Sequence, residues 1–141
     1  MLAAARRIVF VCTHNSARSQ LAAAIWPQHS PIPAASAGTD PADHLHPRTI
    51  RIARRHGLHL DRAATAHIRD TVRRGDLVVA VCDAAHELLT RDPPRPKPRR
   101  RLHWSVPDPA AVNTDRAFET AYADLLSRIT RLAPALTPST H

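Results

Sequence analysis

Short apolar runs alternate with longer amphipathic segments along the chain, and this order predicts an α/β fold. Ile8–Cys12 and Leu77–Cys82 are continuous runs rich in β-branched residues, which is typical of strands buried on both faces of a parallel sheet. Ala34–Gly38 is a weaker strand, and residues 102–104 are long enough for a short last strand. Because strands and helices alternate, we expect a three-layer sandwich with a central parallel sheet of about four strands and helices on both faces.

Helices are predicted between and after these strands. They cover residues 17–28, 47–56, 65–74 and 83–90, and a final helix begins at Thr114 or Asp115. Thr65 and Asp83 are expected to lie at the caps of their helices. The final helix is the most amphipathic, since its apolar residues recur at helical spacing: Phe118, Tyr122, Leu125, Leu126, Ile129 and Leu132. The proline-rich run at 91–98 is predicted to be a loop.

Length and composition indicate one globular domain. The chain has 141 residues, of which 43% are hydrophobic and 23% charged. We expect residues 1–133 to form a single domain and residues 134–141 a flexible C-terminal tail. No apolar run approaches the roughly 20 residues that cross a bilayer, so no membrane partner is expected. The N-terminus lacks the long apolar core of a signal peptide, which predicts a cytoplasmic location with reduced thiols.

The charge of the chain favours an anionic substrate or partner. The net charge is +8, and nearly all basic side chains are arginines because Lys97 is the only lysine. A GC-rich genome would produce the same enrichment in arginine, so both explanations stay open. The run Arg95–Arg101 could contact phosphates of nucleic acid or an acidic protein, but it lacks interleaved aromatic residues for base stacking. A solvated loop is the preferred interpretation, and nucleic acid is not an expected partner.

Cysteines and histidines argue for a reactive thiol rather than a metal site. The two cysteines, Cys12 and Cys82, are too few for a disulfide scaffold, which leaves a reactive or redox role for at least one of them. Ten histidines are present, but none has the spacing of a known metal-ligand motif. We therefore predict no metal at the most closely spaced histidines, which are His44, His46, His56 and His59.

One segment carries a pattern suited to binding an oxyanion. Cys12 ends a buried strand, five residues follow, and Arg18 enters a helix. Loop N–H groups and the helix N-terminus would converge on a tetrahedral dianion and would lower the pKa of the cysteine. Arg18 would clamp two oxygens side by side, and Ser19 could donate its hydroxyl to the sulfur. Asn15 tolerates the left-handed backbone angles that such a tight loop needs.

The motifs together resemble a known family. Val11–Gln20 reads Val-Cys-Thr-His-Asn-Ser-Ala-Arg-Ser-Gln, and Pro107–Pro109 is similar to a mobile acid loop. The chain resembles the low-molecular-weight protein tyrosine phosphatases and the thioredoxin-type arsenate reductases that share their fold, called phosphotyrosine protein phosphatase I-like. Val11–Gln20 and Val81–Asp83 are closest to the reductase branch, whereas Ser36–Thr39 is similar to a segment of both branches.

The resemblance implies a role for each residue of the motif. Cys12 would be the nucleophile, Arg18 the clamp that stabilises the transition state, and Asp108 the general acid, without a cofactor or metal. An imidazolium at His14 would lower the thiol pKa further. The resemblance assigns support of the oxyanion loop and the thiolate to Thr13, His14, Asn15, Ser16, Ala17, Ser19 and Ser36.

The sequence departs from both branches at specific positions. Ala110 and Ala111 stand where the phosphatases carry aromatic residues that stack on phosphotyrosine. Cys82 matches the second thiol of the reductases, but Leu89 replaces the third, and Ala23 replaces the carboxylate near a bound potassium ion. A three-thiol relay therefore cannot finish within this chain.

Two functions follow from these departures. Hydrolysis of phosphate monoesters through a cysteinyl-phosphate is preferred, since it needs only Cys12, Arg18 and Asp108. The alternative is arsenate reduction that uses Cys12 and Cys82 and ends with a thioredoxin-like protein or a low-molecular-weight thiol. A reversible bridge to Cys82 could also protect Cys12 from over-oxidation.

Overall fold

A four-stranded parallel sheet forms the centre of the computed structural model, which describes residues 3–60 and 64–139. Its strands are β2 (Ile8–Cys12), β3 (Ala34–Gly38), β4 (Leu77–Ala80) and β5 (Arg100–His103). The sheet order is β3-β2-β4-β5, with every neighbouring pair parallel. The α/β class and the four-stranded parallel sheet are thus confirmed, and the last strand begins two residues earlier than predicted.

Helices flank this sheet. They are α1 (Arg18–Ile25), α2 (Pro47–Arg55), α3 (Ile68–Thr71), α4 (Asp83–Arg91), α5 (Pro109–Val112) and α6 (Asp115–Leu132). α1, α2 and α6 pack against one another, and α4 packs against β2 and β4. Within the described residues, no helix is both long and apolar enough to cross a membrane.

The core forms where the two apolar strands meet the amphipathic helices. Every residue of β2 and β4 is buried, as expected for central strands of a parallel sheet. The Phe10 ring lies 5.9 Å from the rings of both Trp26 and Trp104, and the Trp26 indole donates to the Ile32 carbonyl at 2.9 Å. The buried face of α6 includes the predicted apolar residues Phe118, Leu125 and Ile129.

The helix predicted at residues 65–74 is much shorter in the structure. Only Ile68–Thr71 is helical, and His67 caps it by accepting a hydrogen bond from the Arg69 N–H. The Thr65 hydroxyl donates instead to the Ala42 carbonyl at 2.6 Å, so Thr65 is not the cap. The helix stops because Val72 is already extended, with φ −69° and ψ 134°.

The cap of α4 is also displaced by one residue from the prediction. The extended conformation of β4 continues to Cys82, with φ −149° and ψ 157°, and Asp83 is already the first helical residue. The Cys82 sulfur therefore takes the capping position and accepts a hydrogen bond from the Ala85 N–H at 3.4 Å.

The C-terminal segment differs from the expected frayed end. Leu136–Pro138 forms strand β6, which pairs parallel with β1 (Ala3–Ala5) in a separate two-stranded sheet. The Ser139 N–H extends this pairing by donating to the Ala5 carbonyl at 3.0 Å. Of the predicted tail at 134–141, only residues 140 and 141 lie outside the described residues.

Candidate active site

The oxyanion loop, residues 12–18, turns tightly at the carboxyl end of β2. Asn15 has φ 52°, in the left-handed region that asparagine tolerates, as the sequence predicted. The segment beside the loop holds three of its carbonyls: Thr13 O accepts from Asp40 N at 2.8 Å, His14 O from Ala42 N at 3.0 Å, and Ser16 O from His46 N at 3.0 Å.

These three carbonyls point away from the inside of the loop, and this direction orients the N–H groups that follow them. In a planar trans peptide, the C=O and the following N–H point in opposite directions. The N–H groups of His14, Asn15 and Ala17 therefore face the inside of the loop. The Asn15 N–H donates to the Cys12 sulfur at 3.2 Å, which shows this orientation directly. The loop thus presents donors where an oxyanion would bind.

A chain of oriented hydrogen bonds ends on the Cys12 sulfur. Asn15 Oδ1 accepts from the Ala66 N–H at 2.9 Å, which fixes the orientation of the Asn15 amide. Asn15 Nδ2 therefore donates to Ser19 Oγ at 2.8 Å. Since Ser19 Oγ accepts that bond, its own hydrogen is available to the Cys12 sulfur, which lies 2.9 Å away. Gln20 also donates to Asn15 Oδ1, at 3.2 Å, and so supports the same amide.

Burial dominates the acidity of the nucleophile candidate. Cys12 is only 3% exposed, and loss of water around the thiolate raises the pKa of its thiol. Hydrogen bonds from Ser19 and Asn15, together with the charge of Arg18, lower the pKa of Cys12 but do not outweigh burial. The net direction is opposite to the lowered pKa predicted from the sequence.

Replacing Ser19 with alanine is expected to raise the pKa of Cys12 further. The hydroxyl is the strongest of the groups that stabilise the thiolate, and alanine donates nothing in its place. Because iodoacetamide reacts with the thiolate, the pH of half-maximal alkylation should move upward. The measurement is the pH dependence of alkylation on the Cys12 peptide, followed by mass spectrometry. Ser127→Ala, on the exposed face of α6, is the matched control, and an unshifted midpoint in Ser19→Ala would contradict the prediction.

The acid loop, residues 106–113, meets the oxyanion loop at Arg18. Arg18 Nη1 donates to the Val106 carbonyl at 2.7 Å, and Arg18 Nη2 lies 4.0 Å from Asp108 Oδ1. Asp108 caps α5 by accepting from the Ala110 N–H at 3.0 Å, and its side chain is 46% exposed. Cys12, Arg18 and Asp108, which the sequence singled out, therefore belong to one site at the carboxyl edge of the sheet.

Two predicted supporting side chains, those of Ser36 and His14, lie outside the chain of hydrogen bonds that ends on the Cys12 sulfur. Ser36 lies opposite Phe10 in the β2–β3 register, and no hydrogen bond within the described part of the chain joins its hydroxyl to the oxyanion loop. His14 is exposed, and its Nδ1 lies 3.0 Å from the Asp40 carbonyl, which can only accept. The proposed effect of an imidazolium at His14 on the Cys12 thiol stays a prediction.

Two residues of the site were missed from the sequence. Gln20, 6% exposed, supports the Asn15 amide from the first turn of α1 and also donates to the Ala64 carbonyl at 2.9 Å. Gly38 lies opposite Cys12 in the register, and a Cβ there would be 2.6 Å from the Thr13 carbonyl oxygen. Two sequence signals could have found them: the amide of Gln20 directly after Ser19 in the motif, and the glycine that ends β3.

Cys82 lies just beyond the carboxyl end of β4, the strand that pairs with β2, and Cys12 ends β2. The Thr13 hydroxyl is 3.7 Å from the Cys82 sulfur, and Cys82 is 3% exposed. Both cysteines are free thiols. Among residues 3–60 and 64–139, no group of three or more His, Cys, Asp or Glu side chains is placed to hold a metal ion.

Comparisons with known proteins agree with this geometry. The family model of the low molecular weight phosphotyrosine protein phosphatases matches residues 7–140. Arsenate reductase 1 of Bacillus cereus is 30% identical over 131 residues, covering 91% of this chain and 94% of the relative. The structure of an arsenate reductase from Archaeoglobus fulgidus has a TM-score of 0.72 and 25% identity, covering 90% of this chain and 98% of its own.

Phosphatases share the fold as well. A tyrosine phosphatase from Erwinia amylovora superposes with a TM-score of 0.76 at 23% identity, covering 94% of both chains. The matches to solved structures thus include both arsenate reductases and tyrosine phosphatases. Because the family model spans nearly the whole sequence, the chain belongs to the low molecular weight phosphotyrosine protein phosphatase family, whose members are enzymes.

Proposed function

We propose that this protein reduces arsenate, with Cys12 as the nucleophile and Cys82 as the second thiol. The observation that carries the proposal is a pair of buried thiols at the carboxyl ends of adjacent strands, one of them inside an oxyanion loop. The sequence alone favoured phosphate-monoester hydrolysis, but the curated relative at 30% identity is an arsenate reductase. That relative supports reduction as the first candidate.

The oxyanion loop supplies the groups that arsenate binding requires. Inward N–H groups and the N-terminus of α1 suit a tetrahedral dianion, and Arg18 carries a permanent charge beside them. Ser19 and the Asn15 N–H stabilise the Cys12 thiolate, and Asp108 can protonate the oxygen that leaves. Burial excludes water from the sulfur.

The proposed reaction balances with two thiols. The Cys12 thiolate attacks arsenic and displaces one oxygen as water, which forms a bond between sulfur and arsenic(V). The Cys82 thiolate then attacks the Cys12 sulfur. As the disulfide forms, the electron pair of the sulfur–arsenic bond stays on arsenic, which leaves as arsenite. The two thiols have then lost two electrons, and an external reductant must return them.

Bridging the two cysteines requires a local rearrangement. Val11 pairs with Ala80, so Cys82 lies opposite Thr13 rather than opposite Cys12. Successive side chains of a strand alternate between faces, and the two thiols therefore begin on different faces of the sheet. Cys82 must also give up its hydrogen bond to the Ala85 N–H, which frees the first turn of α4.

An external thiol completes the proposed cycle because α4 offers no third cysteine. Leu89, where the resemblance places that cysteine, is fully buried in the core. A thioredoxin-like protein or a low-molecular-weight thiol would reduce the bridge between Cys12 and Cys82.

Hydrolysis of phosphate monoesters is the second candidate, and the proximity of Arg18 and Asp108 favours it. The carboxylate lies 4.0 Å from the guanidinium that would clamp the transferring phosphoryl group. Asp108 could protonate the leaving oxygen and then activate water against the cysteinyl-phosphate. Ala110 and Ala111 after Pro109 supply no ring for stacking, which favours substrates other than phosphotyrosine.

A paired assay on one preparation tests the proposal. Arsenite production from arsenate is measured with thioredoxin and, separately, with low-molecular-weight thiols, beside hydrolysis of an aryl phosphate. We expect arsenite production by the parent, background levels in Cys12→Ser, and a loss in Cys82→Ser that leaves any aryl phosphate hydrolysis in place. Hydrolysis without arsenite production would instead overturn reduction in favour of the second candidate.

A further inference from the structure

The N-terminus of α2 is joined to the oxyanion loop by two hydrogen bonds. The Ser16 carbonyl accepts from the His46 N–H at 3.0 Å and from the Thr49 hydroxyl at 2.7 Å. Thr49 is fully buried, and the His46 ring packs 4.8 Å from the ring of Phe118. His46 also caps α2 by accepting from the Arg48 N–H at 3.0 Å. The backbone of Arg48 is therefore fixed relative to the oxyanion loop.

The side chain of Arg48 reaches the acid loop from there. Arg48 Nε donates to Asn113 Oδ1 at 3.1 Å, and Arg48 Nη1 contacts the Asp115 carboxylate. Asn113 ends the single turn of α5 in the left-handed conformation, with φ 59°, and its N–H donates to the Pro109 carbonyl at 2.8 Å. Asp108 is the cap at the other end of that same turn.

The acid loop is thus held at both ends by arginines. Arg18, from the oxyanion loop, binds the Val106 carbonyl before Asp108, and Arg48, from α2, binds Asn113 after it. We propose that the N-terminus of α2 couples the two loops, with Arg48 as the positioning residue that holds Asp108 over the bound anion. This inference rests on the proposed oxyanion chemistry of Cys12 and Asp108.

The structure offers a matched control for Arg48. Arg51 and Arg55 also bind Asp115, each at 2.8 Å, but neither has a hydrogen bond to Asn113 within the described residues. Asp115 therefore keeps two arginine partners when Arg48 is removed. The carboxylate in the first turn of α6 then stays paired. Arg51→Ala removes a comparable ion pair without touching the acid loop.

The first test measures the acid loop without any reaction. Hydrogen exchange of residues 106–113 is compared in the parent, Arg48→Ala and Arg51→Ala. We expect faster exchange in this segment in Arg48→Ala only. Asn113→Gly, which keeps the left-handed conformation but removes Oδ1, should reproduce the effect. Unchanged exchange in Arg48→Ala, or equal changes in Arg48→Ala and Arg51→Ala, would overturn the proposal.

The second test measures proton donation by Asp108. Aryl phosphates with poor leaving groups need a general acid, whereas those with activated leaving groups do not. Because kcat/KM reports only the steps up to departure of the leaving group, it does not depend on the later hydrolysis of the cysteinyl-phosphate. Misplacing Asp108 in Arg48→Ala should lower kcat/KM about tenfold for poor leaving groups, a fraction of the full effect of a general acid, and leave kcat/KM for activated ones near the parent value. Arg51→Ala should behave like the parent with both. A loss in kcat/KM that is uniform across leaving groups would overturn the positioning role.

Failure of the chemistry is distinguishable from failure of the coupling. Parent hydrolysis of the activated ester that disappears in Cys12→Ser establishes the nucleophile before Arg48 is assessed. If the parent hydrolyses neither ester, only the hydrolytic reaction fails, and the exchange measurement alone decides the coupling between α2 and the acid loop.

Discussion

Replacing Gly38 with alanine is expected to lower kcat/KM about a hundredfold, whichever of the two reactions is measured. A Cβ at this position would lie 2.6 Å from the Thr13 carbonyl oxygen and 3.1 Å from both N and Cβ of Asn15. These atoms belong mostly to the backbone of the oxyanion loop, so the clash can be relieved only by moving the loop. A shift of about 1 Å in a catalytic group costs roughly this factor in rate.

Gly57→Ala is the control for the general effect of adding a methyl group to a glycine. Gly57 has φ +65°, and a Cβ there would meet nothing within 4 Å. Its replacement should therefore destabilise the protein by about 1 kcal/mol, because of its left-handed conformation, and leave kcat/KM unchanged. Parent-like kcat/KM in Gly38→Ala would mean that β3 does not set the position of the oxyanion loop.

The central sheet could be predicted because its signal is local. Ile8–Cys12 and Leu77–Ala80 are apolar throughout and rich in β-branched residues, as strands buried on both faces of a sheet are. The pairing of Ala3–Ala5 with Leu136–Pro138 has no such signal, since both segments are only three residues long and one ends in proline. Their pairing depends on the distance in space between the chain ends, which only the folded core determines.

In the site, too, the contacts made by motif side chains could be predicted from the sequence, whereas the contacts made by the backbone could not. Cys12, Asn15, Arg18 and Ser19 stand in one short motif, and in the structure hydrogen bonds join Asn15 and Ser19 to Cys12, on which the charge of Arg18 also acts. The Val106 carbonyl that binds Arg18 carries no sequence signal, because every residue has a carbonyl. The pKa direction of Cys12 was also missed, since the extent of its burial is a property of the whole fold.

Replacing Asp76 with alanine is expected to lower the free energy of unfolding by about 3 to 5 kcal/mol. The Asp76 side chain is 3% exposed and accepts from Arg7 Nε at 3.1 Å, from Arg7 Nη2 at 2.7 Å and from the Arg73 N–H at 2.7 Å. Alanine would leave these three donors, two of them on the charged Arg7 guanidinium, without the carboxylate. Urea denaturation of the parent and the variant measures the loss.

Asp76 lies at the amino edge of the sheet, just before β4, so activity per folded molecule should stay at the parent value. The control is Asp124→Ala, which removes a half-buried pair with Arg128 one turn away in α6 and should cost about 0.5 kcal/mol or less. Because the single variant leaves Arg7 as an uncompensated charge, Arg7→Ala combined with Asp76→Ala should lose less stability than the sum of the two single variants. Additive losses would mean that water already screens Arg7, and that the carboxylate acts mainly through the Arg73 N–H.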